Sequence, residues 1–212
     1  MKLKKYLPQI FIGLSVVSLV AGVVVGLYQH QQNVEAVKQA VASGTVAPAT
    51  NKPTASDFNN YKVAADLPRY IFIPTTNVKA IVRSLGVTKT NQIAAPANVY
   101  DTGWFNQSSK PGQPGAMVVD GHVSSWTTKG VFYNLKALKA GDSIQIQKGD
   151  GTKVTYAVVK TQVYDAKNVD MQALLNPINP KQPGLNLITC TGSVIKGTNE
   201  FDKRIVVFAT EK

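Results

Sequence analysis

A single cysteine, Cys190, stands among 212 residues, which excludes any intramolecular disulfide framework. Histidine is nearly as scarce, with only His30 and His122, so no Cys/His cluster has zinc-site spacing and no metal or cofactor is expected. Arginine is limited to Arg69, Arg83 and Arg204 although the formal charge is +11. The basic excess is scattered lysine, with no basic run past the extreme N-terminus and no basic-aromatic interleaving. That pattern argues against nucleic acid as a partner and fits a solvated face working near anionic lipid or cell-wall polymer. Repeats of fixed period are also missing, so solenoid and array folds are set aside. What is present is 44% apolar and 17% charged residues, a globular composition for one domain of ordinary size.

The longest apolar run, Ile10 to Leu27, carries no charge and follows Lys2, Lys4 and Lys5. Its length reaches the lower end of what crosses a bilayer and exceeds a usual signal-peptide core. Ala40-Val41-Ala42, which has cleavage-site character, lies well past the run. A single-pass anchor over residues 10–27 is therefore expected, with the lysines cytoplasmic and the rest of the chain outside the cell; a cleaved signal peptide is the alternative. This divides the chain into an anchor region (1–28), an extracellular spacer (29–60) rich in Ala, Thr, Pro and Asn, and a folded domain (61–212). A short helix over Glu35 to Ala42 is compatible with the spacer composition.

From Tyr70 onward the pattern becomes short β-type runs between turn residues: 70–73, 78–85, 116–120, 143–147, 153–164, 185–189 and 204–209. Seven such runs predict an all-β sandwich or barrel. Ser143-Ile-Gln-Ile-Gln alternates strictly, and Gly149-Asp150-Gly151 after it is a hairpin signal. One helical excursion is predicted over Asn168 to Leu175, with Asn168 as its cap.

Nucleophile candidates are numerous if every serine counts, so the supply of bases is the sharper constraint. His30 lies in the spacer, which leaves His122 as the one imidazole a scaffold can hold. His122 follows the run 116–120, Cys190 follows 185–189, and Arg204 opens 204–209. A barrel can gather such strand ends on one rim. Together they would support thiol acyl transfer: a thiolate attacks a carbonyl, the histidine carries protons, and the guanidinium faces the oxyanion. Taken singly, each has a plainer structural role, and an anchored β-domain that binds wall polymer with Cys190 inert is the non-enzymatic alternative.

Leu187-Ile188-Thr189-Cys190, with Arg204 fourteen residues later and Gly121-His122 well before, resembles the sortase family of cell-surface transpeptidases. Ile73-Pro74, Gly103-Trp104-Phe105, Pro111-Gly112, Val131 to Leu135 and Gly141-Asp142 extend the resemblance over about Pro68 to Ala209. Gly103-Trp104-Phe105 and Gly121-His122-Val123 look most like the compact class E and class F types. Other cysteine enzymes of the cell wall fit less well. L,D-transpeptidases usually carry Ser-x-Gly-Cys, and papain-like peptidases place Cys before His.

The resemblance implies a closed barrel of about eight strands with short helices. It also implies a two-step reaction: an LPxTG-like signal near the C-terminus of a secreted protein is cut after its Thr, and the acyl group passes from the cysteine to an amine of a cell-wall precursor or pilin. On the same footing Cys190 is the nucleophile, His122 the acid and base, and Arg204 the oxyanion and substrate anchor. Ile188 and Thr189 would flank the groove, and the segment Asp165 to Gly184 would shape signal recognition. Two positions depart from the pattern. Asn186 stands where the family often has Thr, and Asp120, two before His122, replaces a small or apolar residue. Spacing in a strand puts Asp120 on the side of His122, where it would touch the substrate groove and favour the imidazolium and, through it, the thiolate.

Overall fold

The computed structural model describes residues 51–89, 93–125, 127–198 and 200–212. The anchor expected over 10–27, the helix expected over 35–42 and most of the spacer lie outside these residues.

Eight strands form a closed barrel: β1 (Pro68–Ile73), β2 (Val78–Leu85), β3 (Thr102–Phe105), β4 (Ala116–Gly121), β5 (Ser143–Lys148), β6 (Lys153–Asp165), β7 (Gly184–Val194) and β8 (Phe201–Glu211). Their spatial order is β1-β2-β3-β4-β7-β8-β6-β5, and β5 returns to β1. Pairs β2–β3 and β4–β7 are parallel; the others are antiparallel. Closure leaves these eight strands without a free sheet edge among the described residues.

Alternation explains which face each strand buries. Met117 and Val119 of β4, Ile144 and Ile146 of β5, Leu185 and Leu187 of β7, and Ile205 and Val207 of β8 meet inside the barrel with Ile71, Ile73 and Tyr156. Each large aliphatic side chain there removes surface worth roughly 1.5–3 kcal/mol from water. The intervening residues Val118, Val206 and Phe208 point outward, yet they too are buried, in a second cluster with Phe105 and Leu174. The connection between β6 and β7 covers them, so the outer face of β4-β7-β8 is a roofed floor.

All seven expected runs are strands. The eighth, β3, escaped because its four residues are all buried and show no alternation. The β5–β6 hairpin turns where Gly149-Asp150-Gly151 indicated; Gly151 has φ +88° and the Lys148 amide donates to the Thr152 carbonyl at 2.8 Å. The excursion before β7 is a helix, α2 (Met171–Leu175), whose cap is Asp170 and not Asn168: the Asp170 carboxylate accepts from the Ala173 amide at 2.9 Å. The Asn168 amide instead closes a turn onto the Asp165 carbonyl.

The last residues assigned to the spacer are also structured. Helix α1 (Ala55–Asn60) starts with a reciprocal Thr54/Asp57 capping box. It lies on the barrel through Phe58 against Tyr70, ring centroids 5.4 Å apart, and the Tyr70 hydroxyl donates to the Phe58 carbonyl. Just beyond it the Tyr61 hydroxyl donates to the Val82 carbonyl at 2.7 Å.

Candidate active site

Strand register builds the site. Cys190 on β7 lies opposite Arg204 on β8, and Asp120 on β4 lies beside Ile188. Two residues further along the parallel pair, His122 comes level with Cys190, just past the end of β4. Three rows therefore cross the outer face of β4, β7 and β8. The outermost is His122, Cys190 and Arg204. Below it lie Asp120, Ile188 and Val206, and then Val118, Asn186 and Phe208. The lower rows are the floor beneath the β6–β7 connection, with Ile188 packed on its apolar cluster.

Thr189 faces the other way. It is 1% exposed, and its hydroxyl donates to the Gly121 carbonyl at 2.6 Å. Alternation thus sets the two on opposite sides of β7: Ile188 lies on the floor with Asp120 and Val206, while Thr189 braces the end of β4 and lines the cavity at Cys190.

The position of His122 depends on close backbone approaches that only glycine permits. Its carbonyl accepts from the Phe132 amide at 2.9 Å, and a Cβ on Gly130 would lie 2.3 Å from that carbonyl oxygen. A Cβ on Gly121 would come within 2.6 Å of the Phe132 ring. The imidazole Nε2 lies 2.7 Å from the Pro96 carbonyl oxygen in the β2–β3 connection. A carbonyl only accepts, so Nε2 carries a proton and Nδ1 is left as the nitrogen able to take one. Nothing in residue identity announced Gly130 or the Pro96 carbonyl, since each acts through its backbone.

Cys190 is partly exposed and borders a cavity of about 370 Å³, together with Ser124, Tyr133, Lys136, Thr191 and Phe201. His122 and Arg204 do not line that cavity; they stand on either side of the thiol along the outer row. One Arg204 nitrogen, Nη1, donates to the Phe201 and Lys203 carbonyls at 2.9 and 3.0 Å. Nε and Nη2 have no hydrogen bond to the described residues.

Burial pushes the Cys190 thiol above its ordinary 9.0; Arg204 pulls it down, and Asp120 and Glu200 push it further up. The resting thiol is thus protonated at neutral pH and needs a base. Desolvation raises Asp120 from 3.8 to about 6, against the pull of His122, of the Gly121 amide and of Arg204. The carboxyl therefore sits within electrostatic reach of all three members of the outer row. Its direct effect on the thiol opposes the assistance expected through the imidazolium, because two anions repel.

A Sortase domain model matches residues 71–212. Searched against curated protein sequences, the chain has no match. Among solved structures it is similar to sortase C-1 from Actinomyces oris (22% identity, 79% of this chain and 85% of that one, TM-score 0.54). It is also similar to a lid mutant of sortase A from Corynebacterium diphtheriae (21%, 84% and 92%, 0.53) and to a sortase D5 transpeptidase of Clostridium perfringens (20%, 76% and 90%, 0.51). At these identities the structures speak for the fold alone.

Proposed function

The chain belongs to the sortase family, and on that premise we propose that it is a cysteine transpeptidase held on the outer face of a cell membrane by residues 10–27. Its substrates are secreted proteins with an LPxTG-like signal near the C-terminus, and its second substrate is an amine of a cell-wall precursor or pilin. Gly103-Trp104-Phe105 and Gly121-His122-Val123 favour a class E or class F type.

His122 Nδ1 takes the Cys190 proton, and the thiolate attacks the carbonyl carbon of the signal threonine. Negative charge moves to the carbonyl oxygen, where the free N–H groups of Arg204 receive it. The C–N bond then breaks, the imidazolium proton passes to the leaving amine, and a thioester remains on Cys190. The acceptor amine attacks that thioester and loses its proton to His122, and Cys190 departs as thiolate. Burial that favours the thiol over the thiolate supports a first transfer to a base, and the contact of Nε2 with the Pro96 carbonyl supports the tautomer whose Nδ1 can accept it.

The observation that carries this reading is the register of Cys190 opposite Arg204, one strand from the β4 end that bears His122. A partly exposed thiol at a cavity also counts against the inert cysteine of a wall-binding domain. The test is to incubate the full chain with a library of signal-like peptides and follow Cys190 by mass spectrometry. Acyl adducts that an added amine discharges, and that Cys190→Ala abolishes, are expected. A chain that forms no adduct with any peptide, or whose Cys190 resists small alkylating agents, refutes the proposal.

A further inference from the structure

The third row of the groove floor holds a polar side chain in an apolar setting. Asn186 is 0% exposed, sits between Val118 and Phe208, and lies under Leu174 of α2. Its Nδ2 donates to the Leu174 carbonyl at 2.8 Å, to the Asn176 carbonyl at 3.0 Å and more weakly to the Ala173 carbonyl at 3.4 Å. Its Oδ1 accepts from none of the described residues. The orientation is forced, because three carbonyls can only accept and a flipped amide would set oxygen against oxygen.

These carbonyls need a partner. The last turn of a helix has carbonyls without intrahelical donors, and α2 ends on Asn176 in an extended conformation, without a left-handed glycine. Elsewhere the connection is tied near its ends, where the Ala166 amide donates to the Asp202 carbonyl at 2.8 Å and the Pro183 carbonyl accepts from the Glu211 amide at 2.9 Å. Asp170 caps the start of α2, and a Cβ on Gly184 would lie 2.9 Å from Pro177, so Asn186 is the tether at the end of α2. A buried amide with an idle acceptor is destabilising unless its donors are needed.

We propose that Asn186 is a positioning residue: its amide serves as a C-terminal helix cap delivered from the barrel wall, and it holds the β6–β7 connection over the groove floor before substrate arrives. The consequence for recognition rests on that groove being the site of the sorting signal. A preformed wall spares the enzyme from ordering the connection at each binding event, so the latch acts on KM and leaves the bond-breaking steps, two rows away, alone.

The experiment compares the full chain with Asn186→Leu, which keeps size and loses the donor; with Asn186→Asp at pH 8, which keeps shape and sets an anion against the carbonyls; and with Asp170→Ala, an exposed change at the other end of α2. Hydrogen exchange at the Leu174 amide reports the latch without any substrate. One net hydrogen bond is worth roughly a two- to tenfold change in an equilibrium. Protection at Leu174 is therefore expected to fall about tenfold in Asn186→Leu, further in Asn186→Asp and less in Asp170→Ala, while β7 amides from Leu185 to Thr189 keep theirs. With a signal peptide, KM rises in the same order at nearly constant kcat.

Unchanged exchange at Leu174, or an equal loss throughout the barrel, overturns the latch. Lost protection with KM unmoved and kcat reduced overturns the recognition role. If no peptide is turned over, the transpeptidase reading fails and the exchange result still decides the latch. Should the Asn186 variants not fold, Asp170→Ala must show both effects or the proposal falls.

Discussion

Replacing Asp120 by asparagine should stabilise the protein, and by an amount that depends on pH. The carboxyl ionises near 3.8 in the unfolded chain and at about 6 in the folded one. At 1.36 kcal/mol per pH unit the difference corresponds to about 3 kcal/mol. The sign follows from proton counting. Between pH 3.8 and 6 the folded state keeps a proton that the unfolded state has released, so wild-type stability falls as pH rises through that window and stays lowered above it. The amide of the Asp120→Asn variant cannot ionise and escapes the loss. Urea denaturation of both proteins at intervals from about pH 3.5 to 8 should give a stability difference that is nearly constant below about pH 4, shifts toward the variant through the window, and levels above about pH 7 after a total change approaching about 3 kcal/mol. The same substitution removes an anion near Cys190, so thiol alkylation at mildly alkaline pH should accelerate. A stability difference that does not vary with pH would refute the account of Asp120 as a desolvated acid, whatever happens to activity.

Other substitutions test the remaining parts of the site. Arg204→Lys keeps the charge but loses the forked donors, and kcat/KM is expected to drop by roughly 10²–10³, as when one oxyanion donor is removed; a fall of less than tenfold would take Arg204 out of that role. Thr189→Val leaves the Gly121 carbonyl without its buried partner, costing about 1–3 kcal/mol in urea denaturation and lowering kcat more than it alters KM. Gly130→Ala drives a methyl into the His122 carbonyl, so a loss of about 1–3 kcal/mol and a much reduced acylation rate are expected; wild-type acylation in a stable variant would show that this contact does not set the imidazole.

Most of the barrel was legible because its inward and outward residues differ in kind. Ser143-Ile-Gln-Ile-Gln could only be a half-buried strand, and the observed strand runs Ser143–Lys148. β3 was illegible because Thr102–Phe105 is buried on both faces, which erases the alternation. The helix before β7 was found but its cap misread, since Asn168 and Asp170 are both good caps and only the turn geometry chooses between them. In the site, counting bases isolated His122 and the resemblance supplied Arg204, while the juxtaposition of Cys190 and Arg204 is a matter of register that composition does not encode. The resemblance grouped Thr189 with Ile188, and because neighbours in a strand face opposite ways the two present different surfaces, Ile188 to the floor and Thr189 to the Gly121 carbonyl and the cavity at Cys190. Pro96 could not have been found at all: its contribution is a carbonyl, which every residue owns.

Two seams of the barrel, the antiparallel β7–β8 and the parallel β4–β7, also set the order in which the site of a newly made chain is assembled. Cys190 and Arg204 belong to one hairpin with a short connection, so they meet through local closure. The braced β4–β7 seam that brings His122 level with the thiol joins residues 68 apart in sequence, a long-range pairing that forms slowly. A chain caught partway would hold Cys190 beside Arg204 with His122 not yet in place. Completing the barrel is thus the step that brings the imidazole to the thiol.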